Sequence, residues 1–308
     1  MPSTSAPPDL RVSLGSRLDL PTPIVAASGA YGYGEEVRDF GGSRDPGALI
    51  TPTLTVAPRA GNPMPRTAEA TAGLLHSLGW PNPGLDSFIS DRLPGLRSLP
   101  YPVIASIHGE TLDEWRILAG NLTAEGGVVA LELNLSKVSR AGEASILGSI
   151  EEAVAAVRAE TDLTLIAKLP AANVEIGAAA RIAEDAGADV IAVSQGFPGV
   201  AVRLSSRKFR LPGVAGELSG PCIKPLALYQ VWRAAQSVAC PILASGGIMT
   251  GEDALEFLAA GASAVAIGIA SSIHPTAIAT ITADLSAYLA SHHLSSPSNL
   301  TGAALRHR

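Results

Sequence analysis

Residues 184–193 read EDAGADVIAV, and residues 258–267 read LAAGASAVAI. In both, an amphipathic segment stops at a glycine and an unbroken aliphatic run follows. Glycine is expected just past a helix end, because the left-handed backbone that closes a helix costs it little. An aliphatic run without polar alternation describes a strand buried on both faces, as in a parallel sheet. The pattern continues in both directions along the chain. Comparable runs are PIVAAS (23–28), GALITPT (47–53), YPVIASI (101–107), VVALELN (128–134), LTLIAKL (163–169) and CPILASG (240–246). Between them lie segments of helical period, such as TLDEWRILAGNLTAEG (111–126) and SILGSIEEAVAAVRAET (145–161). Eight strands alternating with helices, without a linker, predict an α/β fold: a single-domain (β/α)8 TIM barrel over residues 1–292. An open doubly wound sheet is the competing arrangement. Two insertions, roughly 54–100 and 197–222, are expected as loops over the C-terminal mouth, where barrel active sites form. Residues 293–308, which include SSPSNLTGAALRHR, are expected to be a flexible tail.

The 308 residues are 47% hydrophobic and 16% charged, enough for a large core. A net charge of −6 and the lack of a dense Lys/Arg stripe argue against nucleic-acid binding. The one basic cluster, RLSSRKFR (203–210), reads as a solvated loop or an anion contact. Cys222 and Cys240 form no CxxC and no metal-ligand spacing, so no metal is expected. The N-terminus MPSTSAPPDL has no signal-peptide pattern, and no apolar run is long enough to span a membrane. A cytoplasmic protein is expected.

In a barrel the chemistry stands at the strand ends. The first strand ends in Ala27-Ser28-Gly29, the sixth in Ser194-Gln195-Gly196, the seventh in Ser245-Gly246-Gly247 and the eighth in Gly268-Ile269. Glycine turns after the last two strands form the usual barrel phosphate site from backbone N–H groups. Lys168, inside the fifth strand, is costly to bury without an anion. It either touches a ligand or forms a structural ion pair. A phosphate site together with this lysine points to a nucleotide-like cofactor across the mouth. Lys137 stands three residues beyond Asn134. It reads as a surface lysine, a clamp for a substrate carboxylate, or a base or Schiff-base former of lowered pKa. His76 and His108 read as structural histidines or as pocket residues.

Several stretches resemble one family, the class 1 dihydroorotate dehydrogenases, most closely their type 1B form. They are ASGAYGYGEE (27–36), PRAGNPMPR (58–66), GLLHSLGWPNPG (73–84), LSGPCIKPLAL (218–228) and SGGIMTGEDALEFLAAGASAVAIG (245–268). The resemblance implies a barrel holding FMN, its phosphate at Gly246, Gly247 and Gly268. It places Ala27, Ser28, Gly29, Thr53, Asn134, Lys168, Gly220 and Ile269 around the rest of the cofactor. It also implies a small-molecule substrate, a homodimer and an iron–sulfur flavoprotein electron-transfer partner. In such enzymes hydride passes from dihydroorotate to the flavin while a cysteine base takes the adjacent proton.

This chain departs from that pattern. Where the family has N-x-S-C-P-N, it reads Asn134-Leu135-Ser136-Lys137-Val138-Ser139, so Lys137 stands at the position of the base. The family's T-K-T is Thr51-Pro52-Thr53, and proline donates nothing. Four asparagines read the pyrimidine in the family; the matching positions hold His76, Asn134, Ser139 and Gln195. A third-strand asparagine becomes Ser106, and the threonine after the last phosphate glycine becomes Ile269. Each buried polar group left unpaired costs roughly 1–3 kcal/mol, so these changes disfavour dihydroorotate by several such steps. Three functions follow as expectations: an FMN-dependent oxidoreductase diverged to another substrate, a true dihydroorotate dehydrogenase with Lys137 as base, or a non-redox lysine lyase or cyclase.

Overall fold

The computed structural model describes residues 7–38, 46–136 and 143–306. Eight parallel strands close a barrel in sequence order. They are β1 (Ile24–Ala26), β2 (Leu49–Ile50), β3 (Val103–Ile107), β4 (Ala130–Asn134), β5 (Thr164–Lys168), β6 (Val190–Val193), β7 (Ile242–Ser245) and β8 (Ala264–Ile267). Each apolar run of the sequence supplies one strand, and the expected (β/α)8 barrel is the fold. β2 is the shortest because Pro52 follows it and has no N–H to give the ladder. Thr51 N–H still donates to the Ile104 carbonyl, and pairing with β3 resumes where Leu54 bridges Ile107.

The principal surrounding helices are α1 (Leu112–Glu125), α2 (Glu143–Arg158), α3 (Ile176–Asp185), α4 (Lys224–Ala235), α5 (Gly251–Ala259) and α6 (Ala277–Ser291). Their ends follow local chemistry. Thr111 caps α1 by accepting the Glu114 N–H, and Thr250 and Asp253 form a reciprocal capping box on α5. The two quoted junctions close alike. Gly187 (φ 108°) donates to Glu184 O and Ala188 to Ala183 O; Gly261 (φ 123°) donates to Leu258 O and Ala262 to Phe257 O. This paired helix stop turns the chain directly into β6 and β8.

Strand residues alternate between two apolar layers. Leu131, Leu133, Leu165, Ile191 and Val265 face the helices, whereas Val25, Ile104, Ala130, Ile166 and Leu243 fill the barrel. The N-terminal hairpin, Val12–Leu14 against Leu18–Leu20, packs its apolar face into the inner layer. That closes the bottom and leaves the C-terminal mouth for a site.

The two insertions cover this mouth as expected, but as an antiparallel sheet and not as loops. Its order is Phe197–Val200, Ala215–Ser219, Gly73–His76 and Thr67–Ala70, so both insertions contribute. The expected tail follows α6. Its residues through Leu305 form two 3-10 turns, Leu300 is buried, and Gly302 N–H donates to Leu258 O at 2.9 Å. Leu300 and two hydrogen bonds, that one and Thr301 Oγ1 to Ala262 O, join it to the α5 end, a contact that carries no periodic signal. Among the described residues no helix is long and apolar enough to cross a membrane.

Candidate active site

The strand ends and the sheet above them enclose a cavity of about 650 Å³, within the range of small-molecule and cofactor sites. The sequence-derived site residues inside the described chain all line it. Ala27, Ser28 and Gly29 enter from β1, and Thr53 from beyond β2. Asn134 and Lys168 end β4 and β5, and Gln195 follows β6. Gly246, Gly247, Gly268 and Ile269 come from the turns after β7 and β8, and His76 and Gly220 from the covering segments. Lys137 and Ser139 lie outside the described residues.

One polar network forms the floor. Asn134 Oδ1 accepts from Gln195 Nε2 at 2.8 Å and from Ser136 Oγ at 2.8 Å. Asn134 Nδ2 donates to Thr53 Oγ1 at 2.9 Å, and Thr53 Oγ1 lies 3.2 Å from Ser106 Oγ. Two acceptor positions and one donor of this amide are therefore committed within the protein, leaving one N–H. His108 lies beside the cavity and not on its wall. Its Nδ1–H donates to the Asn134 carbonyl at 2.9 Å, and its ring stands 4.5 Å from Trp80 and 5.4 Å from Trp115. It fixes the end of β4 from behind.

Lys168 lines the cavity, and its Nζ lies 3.6 Å from Glu132 Oε1, the ion pair that one of the two readings above expects. Glu132 is 1% exposed, and that oxygen has no hydrogen-bond partner. Glu132 is not among the residues singled out from the sequence. The signal was present, since Glu132 and Asn134 share one face of β4 at the strand period of two.

The covering sheet adds a second polar group. His76 Nε2 lies 2.8 Å from Ser219 Oγ, across the strand pair. Burial lowers the His76 pKa from its ordinary value, while the Glu217 carboxylate acts in the opposite sense. Glu217 and Trp80 also line the cavity, and neither was singled out from the sequence. Glu217 reaches the wall only through a strand pairing between two distant insertions.

The far edge suits an anion. Gly246 (φ 115°) and Gly247 (φ 77°) hold conformations that disfavour side chains. A Cβ at Gly247 would lie 2.7 Å from Lys224 N, and one at Gly246 2.7 Å from Ala227 Cβ. The N–H groups of Gly246, Gly247 and Gly268 donate to no group among the described residues. Three unspent donors at one end of a cavity fit the phosphate of a cofactor such as FMN. No cluster of three or more potential metal ligands exists among the described residues.

A model of the family described as dihydroorotate dehydrogenase matches residues 12–289. The chain belongs to the dihydroorotate dehydrogenase family. It is similar to proteins named "Dihydroorotate dehydrogenase B (NAD(+)), catalytic subunit". The one from Trichlorobacter lovleyi is 42% identical over 96% of this chain and 98% of the relative. Those from Geobacter sp. strain M21 and Desulforudis audaxviator are 38% and 40% identical, covering 96% and 94% of this chain and 98% and 95% of theirs. Membership makes the chain an oxidoreductase of the CH–CH class.

Proposed function

We propose that this chain is an FMN-dependent member of the family that oxidises or reduces a carbonyl-conjugated C–C bond in a substrate other than dihydroorotate. The glycine edge would hold the phosphate, and Lys168 with Ala27, Ser28, Gly29, Thr53 and Gly220 would surround the remaining cofactor. When bound, FMN supplies a hydride acceptor or donor. The chain's own residues do the rest. The covering sheet excludes water, the Asn134–Gln195–Thr53 network orients a polar ring edge, and Lys137 takes or returns the proton on the adjacent carbon.

The observation that carries the changed substrate is the committed state of Asn134. Gln195 occupies an acceptor position on the one asparagine retained from the family's reading set. With His76 bonded to Ser219 and a carboxylate beside it, this wall suits a different pattern of donors and acceptors. The resemblance over nearly the whole chain favours a second reading, dihydroorotate oxidation with Lys137 as base. Family membership speaks against the non-redox lyase. Relatives named catalytic subunits support a separate electron-transfer subunit, here with an iron–sulfur flavoprotein as the expected partner and a homodimer as the catalytic unit.

The test is cofactor uptake followed by a substrate screen. Purified protein should hold FMN released on denaturation at about one per chain, and Lys137→Cys should show whether dihydroorotate is oxidised once a thiol is restored. Bound FMN with no dihydroorotate oxidation by either form supports the changed substrate. Rapid oxidation by the unmodified protein would establish the second reading.

A further inference from the structure

Glu217 sits in the middle of the strand Ala215–Ser219 and lines the cavity. The antiparallel register sets it directly opposite His76, so the wall above the floor carries an imidazole and a carboxylate side by side. Glu217 is half-buried and makes no side-chain hydrogen bond or ion pair among the described residues. Several other described acidic groups facing a neighbouring element are answered: Asp253 and Glu256 by Lys224, Glu175 by Arg233, and Asp189 by Arg158.

The charge around the cavity is equally uneven. Lys168 is the one described cation on its wall, and it faces Glu132 on the barrel floor. Two arginines of the first insertion have partners away from Glu217. Arg59 pairs with Glu110 at 2.5 Å, and Arg66 donates to the carbonyls of Asn62 and Ala60 at 2.6 and 2.7 Å. Burial favours the neutral form of His76. Among the described residues, the wall on the covering side carries one acidic side chain, Glu217, and no lysine or arginine. A substrate carboxylate placed there would meet like charge in a partly desolvated chamber, the arrangement by which binding sites reject ligands.

We propose that Glu217 is a specificity-determining residue forming a cation subsite, so that the substrate is a carbonyl-bearing ring carrying a protonated amine or amidine. The redox role of that ring rests on the function proposed above; the charge of its substituent does not. The matched probes are orotate and 6-(aminomethyl)uracil, which place an anion and a cation at the same position of one ring. Binding is read from the change each causes in the absorbance of bound, oxidised FMN, without turnover.

The expected result is that 6-(aminomethyl)uracil binds at least about tenfold more tightly than orotate, and that E217Q brings the two within about threefold. FMN uptake equal to that of the unmodified protein shows that E217Q is intact; the unmodified protein's own ratio tests the proposal if it is not. Equal affinities, tighter binding of orotate as Lys137 acting as a carboxylate clamp would produce, no response to either probe, or a preference unchanged in an intact E217Q would overturn it. Failure to take up FMN overturns the proposed function instead. In that case the same two probes, titrated calorimetrically into the flavin-free protein, give the ratio that decides the subsite.

Discussion

Replacing Lys168 by methionine tests the barrel floor. Glu132 is 1% exposed, and its one described ion partner is Lys168 at 3.6 Å. At that distance and an effective dielectric of about 20, the attraction is about 4–5 kcal/mol. Removing one partner of a buried pair strands the other, with a typical cost of about 3–5 kcal/mol. The two estimates agree, so Lys168→Met should lose about 3–5 kcal/mol of stability in urea unfolding of the flavin-free protein. Replacing both charges should restore it, because a well-packed apolar pair of similar volume is usually no worse than a buried ion pair. The double variant Glu132→Leu/Lys168→Met should therefore come within about 1 kcal/mol of the unmodified protein. A loss below about 1 kcal/mol in Lys168→Met, or a double variant no more stable than that single one, would show that the two residues are not energetically paired.

Three further outcomes follow from the geometry. Gly261→Ala puts a side chain at φ 123° and a Cβ 2.5 Å from Ala235 Cβ, so it should cost about 2–5 kcal/mol by urea midpoint; a loss under about 0.5 kcal/mol would contradict the close packing of α5 on α4. Gly247→Ala, whose Cβ would lie 2.7 Å from Lys224 N, should weaken FMN binding at least about tenfold in a fluorescence titration, and unchanged binding would remove the glycine edge from the cofactor site. His76 has a folded pKa lowered by burial, so the unfolded chain takes up a proton near the ordinary value of 6.5 that the folded protein resists. Its neutral form stabilises the fold above that pH, and stability is lost as pH falls through it; His76→Gln should show a smaller loss on acidification, whereas parallel urea-midpoint curves would count against the burial.

The barrel was legible because its signals are local. Each aliphatic run declares a strand, and Gly187 and Gly261 mark helix ends within a few residues of the strands they feed. The glycine edge was legible for the same reason: Gly246, Gly247 and Gly268 immediately follow β7 and β8. The covering sheet was not. It pairs Gly73–His76 with Ala215–Ser219, two short glycine-containing strands far apart in the chain, and periodicity carries no record of that register. Glu217 is invisible as a wall residue until that pairing is known. Glu132 was hidden differently, as a charge inside an apolar run whose partner, Lys168, lies on the next strand. The turns after α6 were not legible because their contact with the α5 end rests on Leu300 and two hydrogen bonds, too little to mark in a short polar segment.

An anaerobic visible spectrum separates an FMN enzyme of this family with a changed substrate pocket from a dihydroorotate dehydrogenase. Protein carrying bound FMN is mixed with excess dihydroorotate, and the flavin band is followed. The expected band is present, released with the cofactor on denaturation, and unbleached by dihydroorotate. Bleaching within seconds would mean that dihydroorotate is the substrate after all, and a protein that binds no FMN would refute both the cofactor and the redox role.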